Sequence, residues 1–218
     1  QEMGRPVEIE FAVNMAPSDH TRATFYLLQI RPIVDNKEIM DEDLSLVKNE
    51  ETILSSTSVL GHGIVGDVQD IIYVKTGAFN SSNNQLIAYE IEKMNRSFTD
   101  QEKGYVLVGP GRWGSSDSWL GIPVKWPHIS AARLIVESAL SNYRIEPSQG
   151  THFFQNLTSF GVGYFTINAY MNDGLYNQEL LNSMPAVEET KFLRWVHFDK
   201  PLTVKMDGKK KIGVVCMA

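Results

Sequence analysis

Cysteine is nearly missing from this chain. Cys216 is the only one among 218 residues, so no internal disulfide can form and no cysteine metal cluster exists. A reducing cytoplasm is the expected setting. A basic surplus is missing too. Lys and Arg number 20 against 26 Asp and Glu, a formal net charge of −6, which argues against nucleic acid as the main partner. The one basic run, Lys209-Lys210-Lys211, follows Asp207-Gly208 and reads as a solvated turn. No apolar run approaches the length of a membrane span, and no signal peptide is read in the sequence. There is no Gly-Lys-Ser/Thr phosphate loop. The five His show no repeated spacing with Asp or Glu, which argues against zinc.

What is present is ordinary for a folded protein: 43% apolar and 21% charged residues. The length suits one large domain or two small ones. The sequence starts at Gln1, without Met, and enters a strand almost at once, so a piece of a longer protein is expected. Residues 1–34 read as a hairpin, with Pro17, Ser18 and Asp19 in its connection. Residues 35–58 are acidic and polar and read as a connector. From Val59 onward strands and helices alternate, which predicts an α/β domain over 59–218. Its expected strands are 70–75, 104–108, 143–146, 162–168 and three at the end, 192–196, 202–206 and 212–216. Its expected helices are 84–98, 130–140 and 152–160.

Three groups of residues carry chemistry. In the first, Glu8 and Glu10 alternate on one strand, and Gln29 and Arg31 alternate on the next. Residues i and i+2 share a face of an extended chain. Paired strands would set two acids beside an amide and a guanidinium, a set suited to Mg²⁺ and phosphate oxygens. The same spacing also describes a salt-bridged, solvated hairpin face.

The second group centres on His152. It follows the turn Pro147–Thr151 and falls in the first turn of the expected helix. Free N–H groups and the positive end of the helix dipole meet there, which suits an anionic phosphate and opposes protonation of an imidazole. A neutral ring nitrogen is a nucleophile toward phosphorus. The plain alternative is a histidine that caps or packs. His128 ranks second because no glycine turn precedes it, and Trp126-Pro127 suggests packing. His20, His62 and His197 read as ordinary surface or core residues.

The third group is the loop Gly109-Pro110-Gly111-Arg112-Trp113-Gly114-Ser115-Ser116-Asp117. Arg112 can clamp a phosphate or carboxylate, with Ser115 and Ser116 as donors. Alternatively the loop is simply tight, with Trp113 and Trp119 covering the core.

The acid-Ile-Glu-Phe strand and the Tyr-Leu-Leu-Gln-Ile-Arg-Pro strand resemble the end of the ATP-grasp domain of the phosphoenolpyruvate synthase and pyruvate phosphate dikinase family. Glu8 stands where that family usually has Asp. Gly150-Thr151-His152, the eight residues Phe153–Phe160 and Gly161 resemble the spacing of its swivelling phosphohistidine domain. So do the closing strands around Asp207-Gly208 and, at the start, Val59–Lys75. Residues 78–98 and 112–140 have no counterpart.

The resemblance implies a fold: an ATP-grasp hairpin remnant, a linker and a swivelling β/β/α phosphohistidine-like domain. It implies an ATP-dependent phosphotransferase that passes phosphate through His152 to pyruvate or a similar acceptor. Glu10 and Glu8 would hold Mg²⁺, Gln29 and Arg31 would contact ATP, and other domains of the parent chain would be partners. Two alternatives stay open: a non-catalytic interaction or regulatory module, and an α/β small-ligand domain that uses Arg112.

Overall fold

The computed structural model describes residues 7–15, 23–32, 44, 52–75, 77–80, 82–117, 119–139, 157 and 160–217, with backbone alone for Val7, Glu8, Arg31 and Pro32. The chain divides into two compact units, Gln1–Lys37 and Glu38–Ala218.

The first unit holds β1 (Val7–Asn14) and β2 (Thr24–Pro32), an antiparallel pair. The expected hairpin strands are therefore paired. The register slips after Glu10: Glu10 faces Gln29, but Phe11 faces Leu27, so Leu28 is the extra residue of a bulge. Phe11 and Phe25 stack with ring centroids 5.0 Å apart.

In the second unit β3 (Thr52–Ser56) and β4 (Ser58–Leu60) lead into the long β5 (Gly63–Val74). Helix α1 (Asn84–Asp100) and β6 (Tyr105–Pro110) follow. Two short strands come next, β7 (Arg112–Trp113) and β8 (Gly121–Ile122), then β9 (Ala132–Ser138) and β10 (Gly163–Ile167). The remainder comprises β11 (Leu175–Tyr176), α2 (Gln178–Ser183), β12 (Ala186–Glu189), β13 (Leu193–Asp207) and β14 (Ile212–Met217). The class is mixed α/β, mostly sheet.

One sheet dominates, with order β11-β3-β14-β13-β5-β6-β9-β10-β4 and β12 against β13. Within it β5, β6, β9 and β10 run parallel, and their neighbours are antiparallel. β3 lies near one end of this order and β4 at the other, yet only Thr57 separates them in the chain. The sheet therefore closes on itself. Ser56 reinforces the closure by donating its Oγ–H to the carbonyl of Thr166 at 2.6 Å.

Residues that alternate along the parallel strands fill two cores. Val106, Val108, Leu134, Val136 and Phe165 join one cluster with Val204 and Val215 inside the closed sheet. Ile72, Leu107 and Ile135 join Ile87, Ile91, Met94 and Phe98 of α1 on the outer face. Parallel strands covered on both faces read as unbroken apolar runs. That explains the first correction. Of the helix expected at 130–140, residues 132–138 are strand instead, because Leu134-Ile135-Val136 is a doubly buried run whose near-helical spacing is incidental.

A second correction concerns the connector. Thr52–Ser56 belongs to the sheet, and Leu44 packs with Val214 and Cys216. Of the expected loop, Pro110 ends β6, and Arg112–Trp113 pairs in parallel with Gly121–Ile122. The three closing strands are two, because β13 runs unbroken through 192–206 apart from its first residue. The expected strand at 143–146 and most of the expected helix at 152–160 lie outside the described residues.

Helix α1 forms as expected, with Ile87, Ala88, Ile91, Met94 and Phe98 on its buried face. Asn83 takes the cap position without capping, because its side-chain amide donates to the carbonyl of Ala78 instead. Asn80 supplies the turn, accepting the N–H groups of Ser82 and Asn83 on its Oδ1.

Candidate functional site

The hairpin pairs the two strands that carry the expected residues. Cross-strand register sets Glu10 opposite Gln29 and Glu8 opposite Arg31. Residues opposite one another in an antiparallel pair share a face. The bulge lies directly beside Glu10 and Gln29, and bulges often re-aim side chains next to active sites. A carboxylate and an amide oxygen are hard donors of the kind Mg²⁺ takes, so the residue types fit that ion. Among the described residues no group of three His, Cys, Asp or Glu side chains converges as a metal site.

The second place is the strap from Gly111 to Ile122, beyond the carboxyl ends of β6 and β9. Its backbone is tied on both sides. The N–H of Gly111 donates to the carbonyl of Ser138 at 3.3 Å, and that of Arg112 to Leu120 at 2.9 Å. Trp113 donates its backbone N–H to Glu137 Oε1 at 2.9 Å and its indole N–H to the carbonyl of Val136 at 2.9 Å. Asn84, at the start of α1, donates to the carbonyl of Gly121 at 3.1 Å. Gly121 lies so close to Arg112 across the strap that a Cβ there would overlap the Arg112 carbonyl.

Beneath the strap lies a buried acid. Glu137 is fully covered, and its Oε2 accepts the Tyr164 hydroxyl at 2.7 Å. That hydroxyl also lies 2.7 Å from Thr166 Oγ1. A covered carboxylate is costly unless donors surround it, and here two donors come from the strap and from β10. Sequence reasoning missed Glu137 because it assigned the segment to a helix. The available signal was a lone acid ending the apolar run Leu134-Ile135-Val136.

Arg112 is more than half covered. Serines 115 and 116 follow it in the chain, but Ser115 Oγ donates to the carbonyl of Asp117 at 3.0 Å, and Ser116 is exposed. Trp113 covers core, as the plainer reading of the loop has it, whereas Trp119 is exposed.

His152 lies outside the described residues. So does His20. The strands on either side of His152, β9 and β10, are adjacent and parallel. His128 sits in the 3-10 turn Trp126–Ile129, where its Nδ1 accepts the N–H of Lys125 at 3.2 Å. Trp126 beside it stacks on Phe160 at 4.7 Å. His62 Nδ1 lies 3.8 Å from Asp207 Oδ1. His197 is less ordinary than its sequence suggests: buried Asp70 holds its Nδ1 at 2.8 Å while also accepting the Trp195 indole N–H at 2.7 Å.

No family model matches the chain, and neither a curated protein nor a solved structure is found similar to it. Among the described residues no helix is long and apolar enough to cross a membrane.

Proposed function

We propose that this chain is part of an ATP-dependent phosphotransferase resembling phosphoenolpyruvate synthase. The register of β1 and β2 carries the reading, since it pairs Glu10 with Gln29 and Glu8 with Arg31. In this reading Glu10 and Glu8 hold Mg²⁺, which supplies charge neutralisation at the phosphates. Gln29 and Arg31 orient the nucleotide. His152 takes the phosphoryl group: a ring nitrogen forms the N–P bond as the P–O bond to the nucleotide breaks. The acceptor, pyruvate or a similar small acid, then receives the group, and His152 returns to its free form.

Incubation of the parent protein with β- and γ-labelled ATP and Mg²⁺ tests the reading. An acid-labile label is expected, absent in His152→Ala and reduced in Glu10→Gln. Labelling that persists in His152→Ala would remove the carrier role. Complete absence of label from folded, nucleotide-bound protein would favour a non-catalytic module.

A further inference from the structure

Arg112 is mostly covered by protein, yet its guanidinium makes no hydrogen bond and no ion pair with any described residue. Its guanidinium nitrogens stay open to solvent, and so to an arriving anion. The acids close to it in the fold are engaged otherwise. Glu137 takes the Trp113 N–H and the Tyr164 hydroxyl, and Asp117 Oδ1 takes the N–H of Trp119 at 2.9 Å.

We infer that Arg112 anchors an oxyanion site, for the phosphate or carboxylate of a small ligand, at the carboxyl ends of β6 and β9. Three features carry this. The guanidinium is unspent, and its planar fork matches both oxyanions. Its backbone is fixed before any ligand arrives, by the bonds of Gly111, Arg112 and Trp113 to Ser138, Leu120 and Glu137, so little ordering cost remains on binding. Its place is the end of a parallel sheet where α/β folds gather ligands.

This inference needs neither His152 nor the hairpin, so it stands or falls separately from the phosphotransfer reading. Titration of the whole chain with inorganic phosphate and, separately, with acetate at fixed ionic strength tests it, read by calorimetry and tryptophan fluorescence. One anion is expected to saturate with a Kd of about 1 mM or tighter. Which one binds decides between phosphate and carboxylate. Arg112→Gln is expected to weaken that binding about tenfold or more. In the unaltered protein the bound anion is also expected to slow phenylglyoxal modification of Arg112, a readout independent of how the variant folds. Saturation by neither anion, equal affinity in Arg112→Gln, or unprotected Arg112 would overturn the site.

Discussion

At the scale of single residues, space decides as much as chemistry. Gly109 ends the apolar part of β6, and a Cβ there would overlap the indole of Trp113 and crowd Val74. The glycine is required by close packing rather than by its backbone angles. Gly109→Ala must push the indole outward and strain the bond from its N–H to Val136. The expected cost is about 1–3 kcal/mol, the range for overpacking a filled core. Denaturant unfolding followed by tryptophan emission checks it, with a red shift of the native spectrum as the sign that Trp113 has moved. An unchanged midpoint would mean that the strap adjusts without loss. Glu137 illustrates the opposite case. Its position is set by donors, since its two oxygens meet a backbone N–H and a phenol from different segments, and those partners are remote in sequence.

At the scale of elements, the turn between β13 and β14 shows how a local signal becomes a pH response. Asp207 Oδ1 accepts the N–H groups of Lys209 at 3.0 Å and Lys210 at 3.1 Å. The bond from Lys210 leads in holding its carboxyl below the usual aspartate range, helped by Lys209 and by the charges of His62 and Lys210 and opposed by slight burial. A depressed folded value means that the unfolded chain binds the proton more tightly. The stabilisation is therefore complete above about pH 4, the ordinary aspartate value, and fades as pH falls through the lower folded value. Asp207→Asn is expected to unfold more easily than the parent at neutral pH and equally easily in strong acid. Unfolding midpoints across that range check it, and a constant difference would show that charge is not the cause.

This turn was legible in the sequence because Asp-Gly acts through its nearest neighbours. Helix α1 was legible as well, because one wet face leaves a clear period. β9 was not. A strand covered on both faces has no alternation to display, and Ala131, Leu134 and Ile135 happen to match a helical spacing. The strap was legible as glycine-rich but not as structured, since β7 and β8 pair across the seven residues 114–120. The closure of the sheet at Thr57 was hidden for a related reason: it depends on β3 and β4 meeting partners more than 100 residues away, as in the bond from Ser56 to Thr166.

At the scale of the whole molecule, the two units are stabilised in different ways. Every buried cluster of described residues lies at Leu44 or beyond, and none includes a residue of β1 or β2. The hairpin instead leaves Ile9, Phe11, Val13, Phe25, Tyr26 and Leu28 between 45% and 59% exposed. A two-stranded hairpin with little burial is marginal in water by itself, whereas the closed sheet has a core on each side of its parallel strands. Removing residues 1–37 should therefore leave the thermal midpoint of the remainder within about 4 °C of the parent, the shift that roughly 1 kcal/mol produces at this size. Scanning calorimetry on the parent and on a chain beginning at Glu38 makes the comparison. The nucleotide reading adds a second expectation for the same pair: any ATP affinity of the parent should disappear with the hairpin, while the Arg112 oxyanion site should remain. A large fall in the midpoint would instead make the hairpin part of the second unit's fold, and retained ATP binding would move the nucleotide site away from Glu10 and Gln29.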